Sequence, residues 1–152
     1  MDRQPFTSAF SLRNDIAELQ TLGRRLEAIG AEFNLSKRSL FELNLALDEL
    51  FTNIISYGFE DGDEHRIEVA IRVEERLLTV TIEDDGVAFN PVERQSPCLP
   101  HSVDDCRVGG RGIHLIRNLM DEVCYRRDGQ KNILTLKKKI ETIASNPTEE
   151  RA

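Results

Sequence analysis

Glu49 and Asn53 stand four residues apart within LFELNLALDELFTNIISYG, residues 40–58. On an α-helix, side chains at this spacing lie one above the other on the same face. A carboxylate stacked with a carboxamide can take a proton from a nucleophile and can bind a hard cation through oxygen. The alternative is an ordinary solvated helix face. What the rest of the chain supplies decides between the two.

A second polar cluster, Asp84-Asp85-Gly86, follows directly after an alternating apolar segment. A buried carboxylate at a strand end can accept a hydrogen bond from an exocyclic amine, such as the amino group of adenine. Gly86 would allow the backbone to approach a flat ring. The same residues also suit a surface turn, because Asp-Gly is a common turn pair.

A third cluster, Gly109-Gly110-Arg111-Gly112, precedes an apolar helical pattern. Free backbone N–H groups and the helix dipole make such a helix start a favourable seat for phosphate. A Rossmann motif does not fit, because Leu115 stands where a third glycine is expected and a loop precedes the motif. A P-loop does not fit either, because the Gly-Lys-Ser/Thr sequence is absent.

Two helices are predicted ahead of these clusters. Apolar residues at three- and four-residue steps from Leu12 to Phe33 indicate a first amphipathic helix that starts near Ser11 or Asn14. Residues 40–58 form the second, with a broad apolar stripe. Ser36 or Ser39 can cap its start, Ser39 and Glu42 have the capping-box spacing, and Gly58 can end it in the left-handed conformation.

Alternating patterns predict a short strand at residues 5–11 and two hairpins. The first hairpin pairs residues 66–74 with 78–82 across Glu75-Arg76, and the second pairs 123–126 with 132–138 across Asp128-Gly129, a favoured turn pair. Between the hairpins lie an irregular loop, residues 90–108, and a third helix, residues 113–120. The order of strands and helices indicates an α+β fold.

Composition limits the function classes. The chain has 152 residues and a net charge of -7, which argues against nucleic acid as a direct ligand because phosphates require a basic surface. There is no run of about 20 apolar residues that could cross a membrane. The N-terminus lacks the apolar run of a signal peptide, and the three cysteines form no CxxC pair, so a cytoplasmic protein with reduced thiols is expected. A zinc site at Cys98, His101 and Cys106 is the minor alternative.

We expect a single domain over residues 1–140 and a polar tail, residues 141–152, that frays. The motifs of the domain follow one another in this order along the chain: a helix with Glu-x-x-x-Asn, a strand ending in Asp-x-Gly, a loop, and Gly-x-Gly at a helix start. This order resembles the Bergerat-fold (GHKL) ATPases, the superfamily of gyrase, Hsp90, histidine kinases and MutL.

Within that superfamily, DELFTNIISYGF and GGRGIHLIRNLMDEV look like the anti-sigma-factor serine/threonine kinases of the RsbW and SpoIIAB type. The resemblance covers roughly residues 6–140. It implies a two-layer α/β sandwich, with a mixed, mostly antiparallel sheet and the helices on one face. One departure is Ala88, which stands where the superfamily often has the last glycine of Asp-x-Gly-x-Gly.

The resemblance also implies the cofactors ATP and Mg²⁺ and a role for each motif residue. Glu49 would be the catalytic base toward the attacking hydroxyl, Asn53 would bind Mg²⁺, and Asp84 would bind the adenine amino group. Gly86 would lie beside the ring. Backbone groups of Gly110 and Gly112 would hold phosphates, and either Arg107 or Arg111 would reach the γ-phosphate.

The function implied is phosphorylation of a serine on an anti-sigma-factor antagonist, alternating with sequestration of a sigma factor. Members of this family commonly act as homodimers. One alternative is an ATP-gated binding module that transfers no phosphate. Another is a detached histidine-kinase catalytic domain, although no adjacent long helix with an acceptor histidine is visible.

Overall fold

The computed structural model describes residues 5–88, 90, 116 and 118–143. Strands and helices within these residues are, in chain order, β1 (Phe6–Arg13), α1 (Glu18–Glu32), α2 (Lys37–Tyr57), β2 (Arg66–Glu74), β3 (Leu77–Asp84), β4 (Glu122–Asp128) and β5 (Lys131–Lys139). None of the helices in this part of the chain is long and apolar enough to span a membrane.

The strands form one sheet in the order β1-β2-β3-β5-β4, and each of its four neighbouring pairs is antiparallel. Both predicted hairpins are confirmed. Glu75 and Gly129 have positive φ angles of 58° and 62°, so each supplies the left-handed residue that its tight turn requires. An α+β fold with a mostly antiparallel sheet is therefore confirmed.

The helices cover one face of this sheet. Alternation along β2 and β3 places every second side chain on that face, where each apolar side chain is at most 3% exposed. The apolar stripes of α1 and α2 pack onto these side chains in a single core. Its members from the two strands and α2 are Ile67, Val69, Ile71, Val73, Leu78, Val80, Ile82, Leu43, Ala46, Leu47, Leu50, Phe51 and Ile54.

Helix α1 begins later than the sequence predicts. Leu12, whose spacing to Ile16 fits a helix, lies in β1 opposite Ile67 and is 1% exposed. The prediction was wrong because Leu12 also continues the alternation of Phe6, Ser8 and Phe10, and pairing with β2 buries it completely. A turn in which Asp15 Oδ1 accepts the N–H of Ala17 at 3.0 Å then leads into the helix.

Of the two predicted N-cap residues of helix α2, Ser36 is the one that caps it. Ser36 Oγ accepts the N–H of Ser39 at 3.0 Å. The predicted capping box is wrong, because Ser39 is buried and its Oγ accepts the N–H of Glu141 at 2.9 Å. Glu42 consequently turns to Lys138 and Arg38.

The end of α2 also differs from the prediction. Gly58 has φ -85° and ψ -15°, a right-handed conformation, so the expected left-handed cap is wrong. Its N–H continues the helix by donating to Ile54 O at 2.8 Å. The carbonyl of Gly58 is thereby directed at the loop after β3, a contact that matters for the site.

The chain beyond β5 stays attached to the helices over residues 141–143. Thr142 forms a β-bridge with Leu35, and the N–H of Ile143 donates to Asn34 O at 2.7 Å. Of the predicted third helix, residues 116, 118 and 119 are helical, and the remainder falls outside the described residues, apart from Met120 at its end. The region from 91 to 115 lies outside them as well.

Candidate functional site

Helix α2 presents Glu49 and Asn53 on one side, one turn apart. Glu49 is half-buried, and Asn53 is only 5% exposed. The Asn53 Nδ2 atom is buried and has no hydrogen-bond partner among the described residues. A buried amide without partners costs free energy. Because Asn53 is buried, this side of α2 is not the ordinary solvated helix face of the alternative interpretation.

Asp84 ends β3 on the helix-covered face of the sheet and is 6% exposed. Its Oδ1 atom accepts the N–H of Gly86 at 2.8 Å and the amide of Asn132 at 2.9 Å. Burial raises the pKa of Asp84, and these two hydrogen bonds and the positive charge of Arg127 oppose that rise. A surface turn, the alternative for this motif, is excluded by the burial.

The loop after β3 contacts the end of α2 directly. The N–H of Val87 donates to Gly58 O at 2.8 Å. A Cβ at Gly86 would meet the same oxygen at 2.2 Å, far below the separation that real Cβ atoms show. Packing against Gly58 therefore requires a glycine at position 86. The location of Gly86 beside an adenine ring stays a prediction.

This contact relates the two predicted clusters. Asn53 precedes Gly58 by five residues, about 7.5 Å along the helix axis. The helix that carries Glu49 and Asn53 thus ends against the loop that follows Asp84 and contains Gly86. Four other predicted site residues, Gly110, Gly112, Arg107 and Arg111, lie outside the described residues.

The structure also contains a polar network behind Asp84 that the sequence motifs do not indicate. Asn132 of β5 is directly opposite Asp84 and donates from Nδ2 to Asp84 Oδ1 and to Val87 O, both at 2.9 Å. Arg127 Nη1 donates to Gly86 O at 2.8 Å and to Asn132 Oδ1 at 3.1 Å. The available signal was an asparagine in the inward register of Leu134 and Leu136 on β5.

A charged cluster borders the same loop on its outer side. The two ring nitrogens of His65 face carboxylates: Nδ1 lies 3.0 Å from Asp85 Oδ1 and Nε2 lies 2.8 Å from Asp61 Oδ2. The ring also stacks on Phe59, with centroids 4.7 Å apart. The carboxylate of Asp61 above all, and then that of Asp85, raises the pKa of His65. The cluster holds the loop after α2 to the loop after β3.

The cavity next to this cluster is an unsuitable seat for polyphosphate. It has a volume of about 360 Å³ and is lined mainly by acidic side chains, which repel phosphate. The residues that line it are Glu64, His65, Arg66, Glu68, Glu83, Asp84, Asp85 and Lys131. The end of α2, which contacts the loop after β3 through Gly58, offers a different location for an anionic ligand with a bound cation.

The site residues fit ATP and Mg²⁺. A buried carboxylate with an acceptor to spare suits the amino group of adenine, and the amide oxygen of Asn53 is a ligand type that Mg²⁺ accepts. The unpartnered Nδ2 of Asn53 is a hydrogen-bond donor that a phosphate oxygen would satisfy.

The chain is similar to several known proteins. A model of the family described as histidine kinase-like ATPase domain matches residues 12–138. Serine/threonine-protein kinase BtrW of Bordetella bronchiseptica is 37% identical over 111 residues, which are 73% of this chain and 78% of that protein. Serine-protein kinase RsbW of Listeria monocytogenes is 31% identical over 124 residues, 78% of this chain and 79% of that protein.

Solved structures show the same fold. The RsbU and RsbW domains of Rv1364c from Mycobacterium tuberculosis match with a TM-score of 0.63 at 15% identity, covering 89% of this chain and 32% of that chain, so this chain spans about a third of its length. The catalytic domain of histidine kinase ThkA matches with a TM-score of 0.51 at 11% identity, covering 88% of this chain. With the family model matched over most of its length, the chain belongs to the histidine kinase-like ATPase domain family.

Proposed function

We propose that the protein is an ATP- and Mg²⁺-dependent protein serine kinase that phosphorylates an anti-sigma-factor antagonist and, in its other state, binds a sigma factor. The observation that carries the proposal is the contact between the end of α2 and the loop after β3. This contact joins the helix that carries Asn53 to the loop that follows Asp84. The Asp84 carboxylate suits adenine, and Asn53, which is buried and has no partner at Nδ2 among the described residues, suits the phosphates and their cation. The names of the 30–37% identical relatives support serine as the acceptor.

Each described site residue has a defined task in this proposal. Asp84 accepts a hydrogen bond from the adenine amino group, and Asn53 binds Mg²⁺ through its amide oxygen. Bound Mg²⁺ neutralises charge on the phosphates, which is the main requirement of phosphoryl transfer. Asn53 also leaves Nδ2 as a donor toward a phosphate oxygen.

Glu49 is assigned to the attacking serine. It lies one helical turn before Asn53 and is half-buried, so it is held near the cation but remains accessible to a protein substrate. As a carboxylate it orients the hydroxyl and takes its proton as the oxygen attacks phosphorus. Gly110 and Gly112 are assigned to the phosphates through their backbone N–H groups, and Arg107 or Arg111 to the γ-phosphate.

The partners follow from the same family relationship. A homodimer is part of the proposal, and so is a cytoplasmic location, where ATP and a sigma factor are both present. The net charge of -7 suits association with a basic protein surface and disfavours direct binding of nucleic acid.

Calorimetric titration of ATP, with and without Mg²⁺, and transfer of labelled phosphate from ATP to a cognate antagonist test this proposal together. Asp84→Asn should weaken ATP binding about tenfold or more, because one hydrogen bond to a charged group is lost. Asn53→Ala should abolish the Mg²⁺ dependence. Glu49→Gln should keep ATP binding and lower transfer about a hundredfold or more.

Glu27→Gln is the matched control, because Glu27 is an exposed glutamate on the other helix and should change neither readout. Unchanged transfer by the Glu49 variant would remove Glu49 from its assigned role. ATP binding without any transfer by the wild type would favour an ATP-gated sequestering module. Absence of ATP binding would overturn the proposal.

A further inference from the structure

Asn132, on the neighbouring strand β5, contacts the carboxylate of Asp84, the residue predicted to bind adenine. Asn132 is 5% exposed and lies directly opposite Asp84 in the β3–β5 pairing. Its Nδ2 atom donates to Asp84 Oδ1 and to Val87 O. One amide therefore connects the strand end that carries Asp84 with the loop that follows it.

The orientation of this amide is fixed by two donors on its other side. The hydroxyl of Tyr125 and Nη1 of Arg127 both donate to Asn132 Oδ1. A flipped amide would place its oxygen against the Asp84 carboxylate and its NH₂ group against the Arg127 guanidinium. Both contacts would be repulsive, so the donor side of Asn132 must face Asp84.

The consequence for Asp84 is that its two oxygens differ. Both hydrogen bonds that described residues make to this carboxylate, from Gly86 N and Asn132 Nδ2, end on Oδ1. Within the described part of the chain no donor is directed at Oδ2. The Asn132 hydrogen bond also lowers the pKa of Asp84 against the effect of burial, which raises it.

On the basis of the proposed nucleotide site, we propose that Asn132 is a positioning residue for base selection. Its amide holds Asp84 Oδ1 by a hydrogen bond that favours the carboxylate over the carboxylic acid, and it leaves Oδ2 as an acceptor. A pure acceptor binds the exocyclic amino group of adenine and repels the exocyclic carbonyl of guanine. A protonated carboxyl would lose this preference, because its O–H donates to a carbonyl oxygen.

The other charged groups near Asp84 are the same in all of the Asn132 variants that test this proposal. Arg127 lowers the pKa of Asp84 and Asp85 raises it. Those lining the adjacent cavity are Glu64, His65, Arg66, Glu68, Glu83 and Lys131.

Asn132→Val and Asn132→Thr test the proposal as a pair. The two residues have nearly the same shape and both suit a strand, but only threonine retains a donor that can reach toward Asp84. The dissociation constants of ATP and GTP are measured from about pH 5 to about pH 8, with circular dichroism to confirm folding. Relative to wild type, the Val variant should bind ATP about tenfold more weakly near pH 5 and nearly normally near pH 8.

The Thr variant should recover most of the ATP affinity at acid pH and most of the preference for ATP over GTP. Identical pH profiles of the Val and Thr variants, or a loss that is the same at every pH, would overturn the proposal. Should the Val variant not fold, the smaller pair Asn132→Ser and Asn132→Ala makes the same comparison. A wild type that binds neither nucleotide would overturn the proposed function and this inference with it, whereas selective ATP binding by all variants would overturn this inference alone.

Discussion

Gly86 shows how tightly a single residue is constrained near the site. The nearest atom to a Cβ at this position would be the backbone oxygen of Gly58, at 2.2 Å, and Asp84 Oδ1 would follow at 3.1 Å. Neither can rotate away as the end of a flexible side chain could. Gly23 in α1 is the opposite case, because a Cβ there would meet no atom within 4 Å.

We therefore expect Gly86→Ala and Gly23→Ala to change stability in opposite directions. Gly86→Ala should lower the free energy of unfolding by about 1–3 kcal/mol, since the loop must move off α2, and should weaken ATP binding. Gly23→Ala should raise it by about 0.5–1 kcal/mol, because alanine is the better residue in a helix interior. Urea unfolding of both variants measures the effects, and a Gly86→Ala protein as stable as wild type would contradict the packing argument.

The buried polar residues were only partly predictable. Asp84 and Asn53 could be singled out because they recur in motifs of defined order, but their burial depends on packing between α2 and β3. Asn132 has no motif around it. Its role arises because β5, which is 48 residues further along the chain, lies next to β3, and a single strand pattern does not determine its neighbour.

At the scale of elements, β5 carries a second buried polar side chain on the helix-covered face. Lys138 is 5% exposed, and its Nζ donates to Glu42 Oε1 and to Leu119 O, both at 2.8 Å. The lysine thus connects the sheet with the first half of α2 and with the chain before β4. Its hydrogen bond is the main cause of the lowered pKa of Glu42, and that from Arg38 adds to it.

Lys138→Met should lower the free energy of unfolding by about 1–3 kcal/mol, because a buried ion pair loses one partner. The effect stays below that of a fully buried pair, since Glu42 retains Arg38 and its side chain is 22% exposed. Lys139→Met is the control, an exposed lysine next in sequence, with an expected change within about 0.5 kcal/mol. Equal effects of the two substitutions in urea unfolding would show that the buried pair adds nothing to stability.

Element types were predictable here because strand alternation and helical spacing are strong signals of burial on one face. Element boundaries were not, since one residue can satisfy both periods. Leu12 fits a helix with Ile16 and a strand with Phe10, and pairing with β2 decides for the strand. The cap of α2 was ambiguous for a similar reason, and the contact of Ser39 with Glu141, 102 residues away, leaves Ser36 as the cap.

At the scale of the whole molecule, the ion pairs predict a stability that depends on pH in two directions. The pKa of His65 is raised by Asp61 and Asp85, so its contribution is complete below the pKa of an unfolded histidine, about 6.5, and is lost as the pH rises through the higher folded value. The pKa of Glu42 is lowered, so its contribution is complete above about pH 4.5 and is lost as the pH falls.

His65→Gln tests the first of these effects. The difference in free energy of unfolding between wild type and this variant should be largest below about pH 6.5, the pKa of an unfolded histidine, and should shrink as the pH rises through the higher folded pKa and the histidine loses its charge. Asp85→Asn, which removes one of the two carboxylates, should reduce the difference at acid pH without abolishing it. Urea unfolding across this range provides the data, and a difference that does not vary with pH would contradict the assignment of a charged His65.

The strand order also has a consequence for the way this protein folds. Strands β2 and β3, and likewise β4 and β5, are hairpins of neighbouring sequence and can form locally within microseconds. The pairing of β3 with β5 must instead close a loop of some 48 residues, and such distant contacts slow folding. Because the hydrogen bond between Asp84 and Asn132 crosses this pairing, the proposed adenine pocket forms only when the two halves of the sheet join. A nucleotide that binds only this completed pocket would then bind the protein after β3 and β5 have paired. By mass action it would shift the equilibrium from partly folded molecules toward the complete sheet.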